Sequence, residues 1–235
     1  DTDGDDALTA EIVEGYRRLG RVQGSPTSAN LGDRAAAARS LRTAVGLAEG
    51  LLARDPDRRE WLELALDTTH DLAAIRIRAG EDDGDAMRRR RDELLGRLER
   101  LHGHDPRAVP AVARGHAYIG STLEGEQRYA EAERAFRTAL ALLDRAAPSP
   151  RLAEQRAGLV KRLGAVLQRL GRHEEAEARY REALALDEQA LAADPMNPAL
   201  GFELTVTLSN LGGVLTRLGR QDEARVVLER ALAMR

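Results

Sequence analysis

Few residues here are placed to do chemistry. The 235-residue chain has five histidines and no cysteine, so disulfides, thiolate zinc sites and cysteine nucleophiles are excluded. His102-Gly103-His104-Asp105 brings metal-ligand types together at short spacing. Its place ahead of Pro106 also reads as a helix end, with Gly103 as the cap and the imidazoles near the negative terminus. Arg88 to Arg91 form a basic run, but Asp83, Asp85, Asp92 and Glu93 flank and largely cancel it. Ser25-Pro26 reads as a phosphorylation site or as a plain loop turn. There is no Ser/His/Asp constellation with a supported geometry and no glycine-rich phosphate loop. The expectation is a chain with no cofactor, no metal and no catalysis of its own; any activity would lie outside this fragment. That leaves arginine, whose guanidinium can fork two hydrogen bonds onto a carboxylate or phosphate.

Composition narrows the classes further. Lys+Arg number 36 and Asp+Glu 39, a formal charge of −3. This near balance argues against a nucleic-acid binder. Of the basic residues only Lys161 is lysine, a bias that fits a GC-rich genome. Aromatic residues make up 3%, too few for base-stacking platforms. No apolar run approaches the roughly 20 residues of a membrane helix, so no membrane insertion is expected. The chain starts without Met or a signal segment and reads as an excised piece of a longer protein. The default compartment is cytoplasmic; a parent with a membrane helix would make it extracytoplasmic. At 43% hydrophobic and 32% charged it is globular, and Ala, Leu, Arg and Glu favour helices.

The elements that position these side chains emerge from internal repeats. Leu163-Gly164, Leu170-Gly171-Arg172, Glu175-Ala176 and Ala183-Leu184 recur 48 residues later as Leu211-Gly212, Leu218-Gly219-Arg220, Glu223-Ala224 and Ala231-Leu232. Shifting back by 44 gives Ile119-Gly120, Glu131-Ala132, Phe136 opposite Tyr180, and Ala139-Leu140. The N-terminus gives Leu19-Gly20, Leu31-Gly32-Asp33, Ala37, Leu41 and Ala44-Val45. Leu72-Ala73, Gly80, Ala86 and Leu94 form the weakest copy. Five units result, 6–56, 57–106, 107–149, 150–195 and 196–235, read as one domain over 1–235. Each reads as a helical hairpin: 6–22 with 33–54, 57–79 with 84–102, 107–125 with 129–146, 150–170 with 173–193, and 197–218 with 221–235. Ser149-Pro150 and Asn197-Pro198 place a cap before a first-turn proline. Asp57 with Glu60 forms a capping box, and Gly171 and Gly219 end their helices. Trp61 sits on an apolar stripe and reads as core. One hairpin cannot bury both faces, so neighbours must stack.

These residues resemble the tetratricopeptide repeat. Its Leu-Gly, its Ala-x3-Phe/Tyr-x2-Ala and its closing Pro stand as Leu163-Gly164, Ala176, Tyr180, Ala183 and Pro195, and as Ile119-Gly120, Ala132, Phe136, Ala139 and Pro150. Units longer than the usual 34 residues are similar to the long-helix, kinesin light chain type. The segment from Tyr16 to Asp33 resembles the opening repeat that follows the catalytic domain in bacterial Ser/Thr protein kinases of eukaryotic type. Arg21 and Arg39 depart from that pattern. The resemblance implies an all-α, right-handed α-solenoid of about five hairpins, acting as a protein–protein interaction scaffold in a larger bacterial signalling protein.

The resemblance also implies that first helices line a concave groove, at fixed positions around the Leu-Gly. In the first unit these are Glu14, Arg17 and Arg21. The second offers Asp67, His70, Ala74, Ile77 and Arg78, and the third Arg114, Ala117, Ser121, Glu124 and Gly125. The fourth offers Gly158, Lys161, Ala165, Gln168 and Arg169, and the fifth Val206, Ser209, Gly213, Thr216 and Arg217. Seven cations against three anions imply a net basic groove for an acidic or phosphorylated peptide. The other reading is solvated helix faces in an Arg-rich chain. The family's carboxylate clamp uses groove asparagines, which these positions lack; Asn210 lies beside them. Alternative roles are a regulatory oligomerisation module of a Ser/Thr kinase and a sensor of a small anionic ligand. Val227, Leu228, Leu232 and Met234 cover more than one face of the last helix, implying further repeats or self-association through that end.

Overall fold

Among the described residues ten helices follow one another in pairs. They are α1 Thr2–Gly24, α2 Arg34–Arg54, α3 Arg59–Ala79, α4 Gly84–His102, α5 Val109–Gly125, α6 Tyr129–Leu143, α7 Pro150–Arg169, α8 His173–Ala193, α9 Pro198–Arg217 and α10 Gln221–Ala233. The structure, a computed structural model, describes residues 2–24, 30–79 and 84–234. Among the described residues there is no strand, and no helix is long and apolar enough to cross a membrane.

Local signals account for several boundaries. The Ser149 hydroxyl accepts from the Leu152 N–H, and the Asn197 side chain accepts from the Ala199 N–H, each with Pro at the first helical position. Asp33 caps α2 through the Ala36 N–H. Pro110 falls in the first turn of α5, where its missing N–H costs nothing. The Asp57 capping box does not form. The helix starts at Arg59, two residues later, and Asp57 is turned toward α4, its carbonyl 2.7 Å from His102 Nε2 and its carboxylate 3.5 Å from Arg97.

Three hairpin turns share one geometry. The Gly171 N–H reaches the Gln168 carbonyl and the Arg172 N–H the Leu167 carbonyl; Gly219 and Arg220 repeat this on Thr216 and Leu215. Gly171 and Gly219 both have φ +76°, the left-handed value this helix stop requires. Gln127 and Arg128 make the same bonds to Glu124 and Leu123, yet Gln127 carries a side chain at φ +62°.

Inside four of the hairpins a glycine faces a large side chain. A Cβ added to Gly120 would lie 2.7 Å from the Phe136 ring, and one added to Gly164 would lie 3.1 Å from Tyr180. Gly20 meets Leu41 and Gly212 meets Leu228 in the same way, each at 2.6 Å. The repeats aligned by sequence are therefore equivalent in space. Phe136 and Tyr180 are almost wholly buried in these contacts.

The chain forms two compact units, Asp1–Gly115 and His116–Arg235, divided inside α5. In the first, α1 packs on α2, α2 on α3 and α3 on α4, around Leu41, Leu51, Leu62, Leu66, Leu94 and Leu98. In the second, α6 packs on α7, α7 on α8, α8 on α9 and α9 on α10, around Phe136, Leu163, Leu167, Tyr180, Leu204 and Leu208. Each unit is thus a stack of helical hairpins, the all-α solenoid architecture expected.

Successive second helices of the C-terminal unit are tied by two closed rings of ion pairs. Arg172 meets Glu133 and Glu175 at 2.7 and 2.5 Å, and Arg137 meets the same two acids at 2.9 and 3.5 Å. One repeat later Arg220 meets Glu177 and Glu223 at 2.6 and 2.5 Å, while Arg181 meets Glu177 and, at 3.4 Å, Glu223. Rings of this kind gain more than isolated surface pairs, because each charge has two partners.

Candidate functional site

In the N-terminal unit two candidate cations, Arg17 and Arg114, are held by acids. Arg17 on α1 donates from Nε to Asp71 at 2.7 Å, and it also pairs with Asp67 at 3.1 Å and Glu14 at 3.3 Å. Arg114 on α5 donates to the other oxygen of Asp67 at 2.8 Å. Asp67 is buried on α3 and so bridges the two arginines. Burial pushes the Asp71 carboxyl up, against the pull of Arg17 and Arg21 and with the push of Asp67. Arg21 is exposed and makes no ion pair among the described residues. His70 is half-buried on α3, and the side chains of Ile77 and Arg78 lie outside the described residues.

In the C-terminal unit none of the groove positions on α5, α7 and α9 is buried, while the Leu and Val between them on α7 and α9 are. The hydroxyls are turned inward on their own helices. Ser121 donates to the Ala117 carbonyl, Ser209 to Thr205 and Thr216 to Gly212, at 2.8 to 2.9 Å. Lys161 is neutralised by Asp187 on α8 at 3.3 Å and Glu203 on α9 at 2.5 Å. Asp187 also accepts from Thr207 at 2.6 Å. Glu124 on α5 takes Arg162 of α7 at 3.2 Å.

Two groove cations of this unit remain without an acid. Among the described residues Arg169 and Arg217 make no ion pair; Arg217 donates only to the Gly213 carbonyl, at 3.2 Å. Both are exposed and occupy the last turns of α7 and α9. The negative end of each helix favours them there without consuming their hydrogen-bond capacity. Between them Tyr180 rises from α8, its hydroxyl 3.4 Å from Gln168 Oε1. Burial pushes the phenol up to about 12, Glu124 adds to this, and Arg217 and Arg169 pull against it. The phenol stays protonated at neutral pH, and its one O–H is directed to Gln168. Arg169 and Arg217 thus both lie close enough to Tyr180 to act on its phenol, with Gln168 half-buried beside them.

The other candidates are accounted for by contacts. Arg88 pairs with Asp85, Arg90 with Glu49 and Glu93, and Arg91 with Asp92, so three of the four arginines of the basic run are spent on acids. His102 is engaged by the Asp57 carbonyl. Trp61 is buried, with the Arg58 guanidinium 4.5 Å over its ring. Ser25-Pro26 lies outside the described residues. Sequence reasoning missed Asp71, Asp187 and Glu203 as the acids that claim Arg17 and Lys161, and it placed Tyr180 in the core alone. Asp187 carried a signal, being an acid on the apolar face of a second helix. Asp71 and Glu203 carried none.

The tetratricopeptide repeat family model matches residues 162–195 and 204–235, both in the C-terminal unit. Among curated proteins none matches the sequence. BtubC from P. vanneervenii shares the fold, at 21% identity and a TM-score of 0.61 over 99% of this chain and 90% of that one. A putative kinesin light chain of P. anserina with TPR-like repeats does so at 15% identity and 0.57, over 97% and 93%. MamA follows at 18% identity and 0.51, over 88% and 95%.

Proposed function

We propose that this chain is a tetratricopeptide-repeat protein whose C-terminal unit holds an acidic or phosphorylated peptide on Arg169 and Arg217. The tetratricopeptide fold is a scaffold for protein–protein interaction and typically does not catalyse. One observation carries the finer reading. Arg17, Arg114 and Lys161 are each neutralised by acids, whereas Arg169 and Arg217, on successive first helices, are not. A peptide carboxylate or phosphate laid across α7 and α9 supplies the missing acid, and the Gln168 amide nitrogen offers it a neutral donor. Each charge-assisted bond is worth about 1.5–3 kcal/mol when its partner is desolvated. The parent we read as a cytoplasmic bacterial signalling protein associated with a Ser/Thr kinase, on the resemblance of Tyr16 to Asp33. Fluorescence anisotropy with labelled phosphoserine and glutamate-rich peptides tests the site. Arg169→Ala with Arg217→Ala is expected to weaken binding more than about tenfold; unchanged affinity refutes it.

A further inference from the structure

The first helices α7 and α9 lie side by side, and Lys161 of one reaches Glu203 of the other at 2.5 Å. Glu154, Gly158, Ala165 and Arg169 share one face of α7, and Phe202, Val206, Gly213 and Arg217 share the equivalent face of α9. The middle of this floor is small and open. A Cβ added to Gly158 would meet nothing within 4 Å, and one added to Gly213 would meet only Arg217 Nη1, at 3.7 Å. One end of the floor carries Arg169 and Arg217. The other carries Phe202, a large apolar side chain 67% exposed, and Met196, just before the Asn197 cap of α9, is 90% exposed at that end. The place in the repeat accounts for the exposure of Phe202. Glu154 holds the same position on α7, has α9 beside it, and is exposed as well.

An extended peptide would bring unpaired backbone N–H and C=O groups that need partners. This floor offers few. Gly158, Ala165, Val206 and Gly213 have no polar side-chain atom, and the Ser209 and Thr216 hydroxyls donate to their own helix at 2.8 and 2.9 Å. A helix satisfies its own backbone and can approach closely over glycine and alanine. Charge gives its direction. Arg169 and Arg217 stand in the last turns of α7 and α9. A helix presents acid to them best from its first turn, where carboxylate and phosphate are favoured. It then runs antiparallel to α7 and α9, and its C-terminal part reaches Phe202. Glu154 makes no ion pair among the described residues and there meets a basic side chain of the last turn, again the sign that helix end favours. From Arg217 back to Phe202 is about four turns of α9, roughly 22 Å.

We propose that the partner of this groove is an amphipathic helix lying antiparallel to α7 and α9, with an acidic or phosphorylated first turn on Arg169 and Arg217 and an apolar side chain about four turns later on Phe202. This rests on the acidic-peptide site proposed for the two arginines and adds the conformation, direction and register of what binds there.

Fluorescence anisotropy with the whole chain and labelled alanine-based helical peptides tests this. The first peptide has glutamates in its first turn and a leucine about four turns later. The second has the same residues in reverse order, and the third is the first with a central proline that breaks the helix. The first is expected to bind about tenfold more tightly than either of the others. Phe202→Ala should weaken the first peptide about fivefold and leave a short glutamate-rich peptide without the leucine unchanged. Phe202 is exposed, so this variant keeps the fold. Arg169→Ala with Arg217→Ala should weaken both peptides. If the arginines matter but Phe202, the order of residues or the proline does not, the acidic site stands and the helix is overturned. If the first peptide binds unchanged without the arginines, the acidic site itself fails. A first peptide that does not bind at all also overturns the helix.

Discussion

Replacing Gln127 with glycine should stabilise the protein. Gln127 occupies the left-handed position of a helix stop whose counterparts are Gly171 and Gly219, with φ +62° against +76°. Its backbone bonds match theirs: Gln127 N–H to Glu124 at 3.0 Å and Arg128 N–H to Leu123 at 2.9 Å. The bonds are therefore already made, and only the conformational cost differs. A side chain in that region costs about 1–2 kcal/mol, since Cβ crowds the following carbonyl. Glycine removes this cost but gives the unfolded chain more freedom, worth roughly 0.5–1 kcal/mol. The net gain expected for Gln127→Gly is about 0.5–1 kcal/mol, or about 1–4 °C in melting temperature for a chain of this length. Gly171→Gln should lose a similar amount, because it creates the same strain at an equivalent turn. Thermal and urea unfolding followed by far-ultraviolet circular dichroism measures both. A Gln127→Gly variant no more stable than the parent, beside a destabilised Gly171→Gln, would refute the reasoning, since the two turns would then not be equivalent.

Two further predictions concern the interior. Phe136 is fully buried against Gly120, so Phe136→Ala should cost about 3–5 kcal/mol in urea unfolding. Phe136→Leu should cost less than about 1.5 kcal/mol, since Leu41 and Leu228 already fill the same site opposite Gly20 and Gly212. At Asp71, burial holds the folded carboxyl above its ordinary value of 3.8, so the folded state binds the proton more tightly than the unfolded chain. The charged form then costs stability above the folded pKa, and this cost vanishes below the unfolded one. Wild type should therefore lose stability relative to Asp71→Asn as pH rises from 3.8 through the folded value, measured by denaturation across pH. A difference that moves the other way would show that Arg17 outweighs burial.

Legibility followed range. The helices, their pairing into hairpins and several stops could be read from the sequence, because each depends on residues a few positions apart. Ser149 before Pro150, Asn197 before Pro198, and Gly171 and Gly219 act within one turn. The equivalence of Gly120, Gly164 and Gly212 was also legible, since close packing repeats with the motif. Gln127 escaped notice because its turn is held by backbone bonds that leave no mark on residue type.

What the sequence by itself determined is the repeating unit: alternating first and second helices, their apolar faces, and the small-against-large contact inside four of the hairpins. These follow from 3.6-residue periodicity and local sterics, which the chain carries residue by residue. The fate of the arginines was decided only by tertiary structure. Arg17 is claimed by Asp71, 54 residues away, and Lys161 by Glu203, 42 residues away, while Arg169 and Arg217 make no ion pair among the described residues. An ion pair depends on which helices lie side by side and which way each is turned about its axis. No count of charges along the chain contains that information.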